Sequence, residues 1–410
     1  MSYFHDILPN GLRIILEQTT SKVAYCGYAI NVGTRDELSN ESGMAHLVEH
    51  LIFKGTTHRK SWHILNRMEN VGGDLNAYTA KEETMIYSTF LVEHFSRAVD
   101  LLTDIVFHST YPAEELSKEV EVVIDEILSY RDSPADLIFD EFDHLIFEGH
   151  PLGRDILGDE QSLRSYVSQS VREFTNRYYH PSNMVFFVRG NLSTQRVVQT
   201  LKRFTAGLEG AVTPFMRSAP TLTPPIHRVV DKETHQAHIL MGSRAYSIFD
   251  KRRDALFLLN NLLGGPGMNS RLNLSLREKH GLVYMVESNL TSYTDSGQFS
   301  IYFGCDTQDI EQCCSLALRE LTGLCCNRLS SLKLAMAKKQ LLGQIGVSSD
   351  LGESMALSMG KSFLHLNRCA NYDQIYQRIM SLTAKDLLEV ANEVFATDKL
   401  SYLIYSSSKE

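Results

Sequence analysis

The chain has 410 residues, more than one hydrophobic core usually serves, so two domains of roughly 200 residues are expected. Hydrophobic residues make up 43% and charged residues 22%, which is typical of a globular protein and not of a disordered or fibrous one. The formal net charge of -9 argues against a general nucleic-acid binder, which would need a basic face.

The cysteines and the apolar segments favour a cytoplasmic protein without a membrane partner. The seven cysteines show no spaced framework, and an odd count suggests reduced thiols in a reducing compartment. The adjacent pairs at 313–314 and 325–326 are typical of a helix with half-buried thiols. No run approaches the ~18 apolar residues of a membrane span. The chain enters a turn at Pro9-Asn10-Gly11 and then a strand, so we expect no targeting peptide.

The first half of the sequence predicts strands and helices in alternation. Apolar periodicity, glycines and prolines set the expected boundaries. In chain order they predict strands at 12–17 and 23–32, helices at 42–53 and 61–71, a strand-rich segment at 76–91, helices at 93–107, 112–131 and 170–179, and a strand at 184–188.

A tract at the midpoint resembles a linker, because residues 207–225 contain four prolines and several small residues. We predict a linker at 213–226 between an N-terminal domain, 1–212, and a C-terminal domain, 227–410. After it the pattern restarts with a strand at 237–241 and a helix at 253–263, and a last strand at 401–405 matches the one at 184–188. The expected fold is α+β, with two homologous α/β-sandwich domains, each a mostly antiparallel sheet packed with helices, related by an internal repeat.

The segment GMAHLVEHLIFKGT carries the strongest chemical signal. His46 and His50 are four residues apart, so on a helix both imidazoles project from one face and can reach one metal ion. The flanking residues are apolar nearly all round, which indicates a buried helix whose histidines need partners. Zinc suits two imidazoles and one carboxylate with an open position for water, and Glu49 is placed to take a proton from that water.

The third ligand must come from elsewhere in the chain. The helix after Pro112 offers six acidic residues, of which Glu119 and Glu126 lie two turns apart on one face. The spacing favours this pair without choosing between its members.

These motifs resemble the pitrilysin, insulysin and mitochondrial processing peptidase family, whose inverted zinc motif is H-x-x-E-H. The resemblance extends over essentially the whole chain and in the family's order. It is carried by GTRDE, SGMAHLVEHLIFKGT, GGDLNAYTAKEETMIY, KEVEVVIDEI with RDSP, HPLGRDILG, YHPSNMVFFVRGN and GGPGMNSRLNLSLREKHGLVY. The length is similar to that of the family's two-domain subunits.

The resemblance implies a role for both glutamates. The family's third zinc ligand is the second glutamate of the pair, which falls on Glu126, and Glu119 is then the supporting acid beside it. One departure affects Glu119, because the family usually has a basic residue after the first glutamate and this chain has Val120.

The resemblance also implies substrate-binding residues. Relatives pair an extended substrate with the strand that carries Asn76 and Ala77, which is β-augmentation. Arg277 and Tyr284 match an arginine and tyrosine that similar enzymes direct at the substrate near zinc. Tyr284 would stabilise the developing oxyanion, and Arg277 would hold the peptide.

We therefore expect a zinc metalloendopeptidase, with one Zn²⁺ per chain, that hydrolyses flexible or unfolded peptides in a chamber formed by two subunits. In two-domain relatives the arginine and tyrosine come from the partner subunit. Because this chain has both sets of residues, the resemblance implies a homodimer. The alternative is a non-catalytic peptide-binding or scaffold subunit of the same fold. The glycine-rich segment 264–267 lacks the lysine of a phosphate-binding loop and is expected to end a helix.

Overall fold

The computed structural model describes residues 3–211 and 217–407. Residues 213–216 of the predicted linker therefore lie outside the described residues, and residues 217–226 form no helix or strand. The strands are β1 (Tyr3–Ile7), β2 (Arg13–Gln18), β3 (Val23–Ile30), β4 (Asp74–Thr79), β5 (Thr84–Leu91), β6 (Met184–Gly190), β7 (His227–Asp231), β8 (Ala237–Ala245), β9 (Val283–Ser292), β10 (Gly297–Cys305) and β11 (Ser401–Ser406).

The helices account for most of the remaining regular structure. They are α1 (Met44–Leu51), α2 (Ser61–Glu69), α3 (Phe95–Phe107), α4 (Ala113–Arg131), α5 (Pro134–Ile146), α6 (Glu160–Ser165), α7 (Ser168–Tyr178), α8 (Thr194–Phe204), α9 (Arg253–Gly264), α10 (Ile310–Cys326), α11 (Ser331–Ser348), α12 (Gly352–Leu366), α13 (Tyr372–Ser381) and α14 (Ala384–Val394). A π-helical segment spans Asn273–Glu278. Within the described ranges no helix has both the length and the apolar character needed to cross a membrane.

Two compact units divide the chain, and neither is continuous in sequence. The first contains residues 1–128, 154–217 and 347–371, and the second contains residues 129–153, 218–346 and 372–410. Most of the chain divides near the expected linker. The segments 129–153 and 347–371 instead belong to the unit opposite to the one expected from their place in the sequence.

In the first unit a six-stranded sheet has the order β1-β2-β6-β3-β5-β4. Only the pair β2–β6 is parallel, and the other neighbours are antiparallel. Side chains alternate across the sheet because successive residues of a strand point to opposite faces. Ile14 and Leu16 join a core with α1, α3 and α4, whereas Ile15 joins a second core with Met359 and Phe363 of α12.

In the second unit a five-stranded sheet has the order β7-β11-β8-β10-β9, and only β7–β11 is parallel. One face packs against α9, α10 and α14 through residues such as Ile239 and Phe299. The other face packs against α5, where Phe142 and Ile146 meet Leu240 and Tyr405. Each sheet is thus covered on both faces by helices.

The two sheets share one topology. Strands β2 to β6 of the first sheet and β7 to β11 of the second have the same spatial order and the same parallel and antiparallel pairs, and β1 is an addition to the first. This correspondence agrees with the predicted internal repeat. The expected α+β fold with two sheet-and-helix domains is confirmed.

The predicted cysteine-containing helix and the predicted helix end also have their structural counterparts. Both adjacent cysteine pairs lie in α10, where Cys313 is buried and Cys326 is exposed, and all seven cysteines are free thiols. Helix α9 ends at Gly264, with Gly265 as its C-cap residue. The glycine-rich segment therefore begins where the sequence predicted that the helix would end.

Candidate metal centre

Helix α1 is fixed at its N-terminus by a glycine and a buried acid. Gly43 has φ +80°, and a Cβ there would lie 2.5 Å from the carbonyl oxygen of Leu157, so the position requires glycine. The Glu37 carboxylate accepts hydrogen bonds from the backbone N–H groups of Gly43 (3.1 Å) and Ala45 (2.8 Å). Burial raises the pKa of Glu37 well above its ordinary value, although these two bonds oppose the shift. The start of the helix is therefore held firmly.

Helix α1 buries its apolar residues and presents its polar ones together. Met44, Leu47, Val48 and Leu51 are fully buried in the core of the first unit. His46 and His50, one turn apart, have ring centroids 4.7 Å apart at an interplanar angle of 63°. The helix therefore brings both imidazoles to one side, as the four-residue spacing predicts.

Glu126 of α4 faces both imidazoles. Its Oε2 lies 3.8 Å from Nε2 of His46 and 3.7 Å from Nε2 of His50. These separations are too long for hydrogen bonds. They suit three atoms that bind one ion, because zinc is bound at about 2.0–2.2 Å by imidazole and carboxylate. One ligand atom from each of the three residues lies within 4.8 Å of the other two.

The protonation state of His46 also fits a metal ligand. Burial, followed by the neighbouring His50, lowers the pKa of His46 to about 4, so the ring is neutral near pH 7. Its Nδ1 is buried and has no hydrogen-bond partner among the described residues, which differs from the usual pattern in which the second ring nitrogen is held. The donor set of two imidazoles and one carboxylate is the one that zinc prefers in hydrolytic sites.

Glu119 lies on α4 two turns before Glu126 and contacts His50. Its Oε2 lies 3.1 Å from Nδ1 of His50, so a proton on Nδ1 is donated to the carboxylate and Nε2 is left free to bind a metal. Lys54 Nζ lies 2.7 Å from the other oxygen, Oε1. This lysine was missed by sequence reasoning, although its position four residues after His50 was a signal. It gives Glu119 a cationic partner where Val120 does not.

Glu49 lies beside the three converging ligand atoms and is held by a threonine. Thr79 Oγ1 donates a hydrogen bond of 2.7 Å to Oε2 of Glu49. Burial raises the pKa of the Glu49 carboxyl, while the Thr79 bond and the charge of His50 oppose the shift. Thr79 is a second residue that sequence reasoning missed, and its place on the strand of Asn76 and Ala77 was the only available signal.

Asn76 and Ala77 lie on β4, which is the edge of the first sheet. They pair with Tyr87 and Ile86 of β5, and the other side of β4 has no neighbouring strand within the described part of the sheet. Helix α1 packs against β4, so the sheet edge lies close to the helix that carries His46 and His50. The backbone groups of an edge strand are available to an incoming strand.

Arg277 and Tyr284 belong to the second unit. Arg277 lies in the last turn of the π-helical segment and Tyr284 lies on β9, with the guanidinium carbon of Arg277 5.7 Å from the centroid of the Tyr284 ring. The tyrosine side chain is 84% exposed, so it is free to meet a ligand or another protein. The structure brings these two predicted residues together as a pair.

Comparison with known proteins extends this description to both halves of the chain. Residues 13–160 match the family model for the insulinase peptidase family M16, and residues 166–341 match the model for the peptidase M16 inactive domain. The second description fits a half of the sequence without an H-x-x-E-H motif.

Relatives and solved structures resemble the chain over nearly its full length. It is 33% identical over 399 residues to the uncharacterized zinc protease YmxG of Bacillus subtilis, which covers 97% of each chain. It is 32% identical to the uncharacterized zinc protease SCO5738 of Streptomyces coelicolor, over 94% of this chain and 86% of the relative. A protease structure from Helicobacter pylori superposes with a TM-score of 0.90 at 22% identity, covering 99% of both chains, and shows the shared fold.

These matches confirm the resemblance that the motifs indicated. The H-x-x-E-H segment and the glutamate helix α4 lie within residues 13–160, and strands β7 to β10 of the second sheet lie within residues 166–341. The chain belongs to the insulinase family of peptidases, family M16.

Proposed function

We propose that the protein is a zinc-dependent endopeptidase that hydrolyses flexible or unfolded peptides. One observation carries the proposal: Nε2 of His46, Nε2 of His50 and a carboxylate oxygen of Glu126 converge, and Glu49 lies beside them. The names of the relatives, which are called zinc proteases, support the same chemistry.

His46, His50 and Glu126 would hold the zinc ion. Zinc in this position supplies Lewis-acid polarisation of a peptide carbonyl and increases the acidity of water. Glu119 fixes the tautomer of His50 by accepting its Nδ1 proton at 3.1 Å. The Glu126 carboxylate faces Nε2 of both imidazoles, at 3.8 and 3.7 Å, so the three side chains could bind one ion together.

Glu49 would act as the general base. Its Oε2 is occupied by the Thr79 hydroxyl, which leaves Oε1 to accept a proton from the attacking water. The same carboxyl can then return a proton to the leaving amine. Burial raises the pKa of the Glu49 carboxyl, which brings it closer to neutral pH than the pKa of an exposed glutamate. This shift favours both proton transfers.

The exposed edge of β4 would bind the substrate backbone. An extended peptide that adds as a strand next to Asn76 and Ala77 would run alongside the helix that carries the metal ligands. Only a segment that is able to become extended can bind in this way. The preference would therefore be for flexible or unfolded peptides.

Arg277 and Tyr284 would complete the site from a second copy of the chain. The Tyr284 hydroxyl would donate to the oxyanion that forms on the substrate carbonyl, and Arg277 would hold the peptide. Two chains would then form a closed chamber with two shared sites, and the protein would be a homodimer. The exposure of Tyr284 supports a role in contact with a partner or substrate.

The proposal is tested with a mixed peptide pool whose products are read by mass spectrometry. Wild-type protein is expected to cleave peptides, and a chelator is expected to stop cleavage. Glu49→Gln removes the base while keeping its shape, so hydrolysis should fall by roughly 100-fold or more with zinc still bound. His50→Ala should lose the metal itself, as shown by elemental analysis.

Two outcomes separate this proposal from the non-catalytic alternative. Hydrolysis that is unchanged in Glu49→Gln with zinc bound would contradict the assigned base. Binding of peptides without any cleavage by zinc-loaded wild-type protein would favour a peptide-binding or scaffold subunit.

A further inference from the structure

A second cluster of imidazole and carboxylate groups lies in the first unit, outside the candidate metal centre. His58, Asp104 and His108 each offer one ligand atom, and the three atoms lie within 4.8 Å of one another. The donor set of two imidazoles and one carboxylate equals that of His46, His50 and Glu126. The aspartate is buried, His108 is half-buried and His58 is exposed, so the cluster can be reached from solvent.

The two oxygens of Asp104 have different partners. Oδ2 accepts hydrogen bonds from Thr56 Oγ1 at 2.8 Å and from Arg59 Nη1 at 2.6 Å. Oδ1 faces the histidines: it shares a hydrogen bond of 2.6 Å with Nδ1 of His58 and lies 3.6 Å from Nδ1 of His108. The first pair of bonds fixes the carboxylate and directs its second oxygen at both imidazoles.

His108 has an unsatisfied nitrogen in this cluster. Its Nδ1 is buried and has no hydrogen-bond partner among the described residues, because the 3.6 Å separation from Asp104 exceeds hydrogen-bond length. A buried nitrogen without a partner is costly. A metal ion between Asp104, His58 and His108 would satisfy it.

The ligands are held on two segments that are fastened together. Asp104 and His108 lie four residues apart at the end of α3, where the backbone N–H of His108 donates to the carbonyl of Asp104. The loop of His58 is attached to this helix end, since the N–H of Thr57 donates to the carbonyl of His108 at 2.9 Å. The N–H of Thr110 donates to the carbonyl of Gly55 at 3.1 Å. The three side chains are therefore held close together without an ion, and a bound ion would replace the hydrogen bond between His58 and Asp104.

The surrounding charges limit the affinity of the cluster and indicate the class of ion. Arg59 pairs with both Asp100 and Asp104, and Arg67 also pairs with Asp100, so the carboxylates are largely neutralised. A cation there should bind more weakly than at the candidate metal centre. Imidazole ligands favour Zn²⁺, Ni²⁺ and Cu²⁺ over Mg²⁺ and Ca²⁺, which prefer oxygen ligands.

We propose that His58, Asp104 and His108 form a second binding site for a divalent transition-metal ion. The ion would link the loop that follows α1 with the end of α3. Its remaining coordination positions would face the cleft beside His58. The site is structural and is independent of the proposed peptidase activity.

The test uses the full chain with His46→Ala and His50→Ala, so that the second site is measured alone. Zn²⁺ is titrated by calorimetry, and the bound metal is counted by elemental analysis after dialysis. One equivalent of zinc is expected, with an increase in the melting temperature. Adding His58→Ala or His108→Ala should weaken zinc binding by roughly 10-fold or more and remove the thermal shift.

The matched control is His63→Ala, because His63 is exposed and lines the same cleft without belonging to the cluster. It should leave binding unchanged. If the double variant binds no zinc, or binds it equally well after His58→Ala and His108→Ala, the proposal is wrong. If a histidine variant fails to fold, the Co²⁺ visible spectrum of the double variant decides, since the proposal requires nitrogen ligation and a water-like spectrum overturns it. None of these outcomes depends on peptide hydrolysis by the wild-type protein.

Discussion

The three carboxylates around the two histidines of α1 differ in their partners. Glu119 contacts a lysine and an imidazole, Glu49 contacts the Thr79 hydroxyl, and Glu126 faces two imidazole nitrogens at 3.7 and 3.8 Å. A carboxylate held by a lysine and an imidazole is fixed in place, which suits a supporting role. A carboxylate that faces two imidazole nitrogens is the one placed to share a cation with them. The partners thus distinguish the proposed roles.

At the residue scale we predict that Thr79 positions Glu49. Thr79→Val keeps the shape and removes the hydroxyl, so Glu49 loses the hydroxyl donor and keeps the backbone N–H of residue 79. We expect kcat to fall roughly 10-fold, the size of one hydrogen bond to a charged group, with KM nearly unchanged. Steady-state peptide hydrolysis measures both constants, and elemental analysis checks that zinc content is unaltered.

The conservative variant Thr79→Ser supplies the control, because it retains the hydroxyl. It should recover most of the activity. Equal losses in the valine and serine variants would show that the methyl group and strand packing matter, and not the hydrogen bond to Glu49.

At the element scale, α5 and α12 are each packed on a sheet from the other half of the sequence. Helix α12 places Met359 and Phe363 on the first sheet, and α5 places Phe142 and Ile146 on the second. Polar contacts fix α12 as well, since Glu353 accepts hydrogen bonds from Tyr87 and Thr89, and Arg13 donates to the carbonyl of Leu364 at its C-terminal end. The helix is therefore an integral part of the first unit.

The buried Glu83 should make the docking of α12 sensitive to acid. Burial by itself raises the pKa of Glu83, but the hydrogen bond from His365 and the charge of Lys361 outweigh it and lower the pKa to about 2. Because the folded pKa lies below the ordinary value, the contribution to stability is complete above about pH 4.5 and is lost as the pH falls toward 2. The shift corresponds to a stability contribution of about 3 kcal/mol.

We predict that Glu83→Gln lowers stability near neutral pH and flattens the pH dependence between pH 4.5 and 2. Urea unfolding at several pH values, with a chelator present so that metal loss does not contribute, measures the free energy of unfolding. Glu69→Gln is the matched control, because Glu69 is exposed at the end of α2. Parallel pH curves for wild type and Glu83→Gln would contradict the prediction.

At the scale of the whole molecule, one topology is used twice, and the H-x-x-E-H sequence occurs in the first copy. The second copy has α9, with the sequence LFLLNNLL, between β8 and β9, where the first copy has α1 and α2 between β3 and β4. Its apolar side chains fill the core of the second unit. The second unit instead presents Arg277 and the exposed Tyr284, which is consistent with the two units serving different roles.

The proposed homodimer predicts complementation between two defective chains. Glu49→Gln and Tyr284→Phe should each have low activity alone, but in a mixed dimer one site would combine an intact Glu49 with an intact Tyr284 from the partner. After subunit exchange at equal concentrations, activity should reach about one quarter of the wild-type value, because half of the dimers are mixed and each holds one intact site. Peptide hydrolysis before and after mixing measures this.

Verification of exchange, by mass-labelled chains, is the necessary control. A mixture that exchanges fully and still shows no recovery would contradict sites shared between chains. In that case Glu49 and Tyr284 would either act within one chain or not act in the same site.

The features that depend on local spacing could be predicted from the sequence. The four-residue step between His46 and His50 predicts two imidazoles on one helix face, because helix geometry alone sets that arrangement. Alternating and helical apolar patterns predicted the α+β class and its repeat, since each pattern specifies which face of an element is buried. The pairing of Arg277 with Tyr284 was inferred from the family resemblance.

Contacts between side chains that are distant in the sequence depend on how the elements pack in three dimensions. An amphipathic helix must bury its apolar face, but the pattern does not say against which sheet. The packing of α5 on the second sheet and of α12 on the first was therefore not predicted. Spacing left Glu119 and Glu126 equivalent until the contacts of Lys54 and of the imidazoles distinguished them. The contact of Thr79 with Glu49, and the meeting of His58 with Asp104 and His108, join segments far apart in the chain. Such contacts arise from packing and leave no local periodic signal in the sequence.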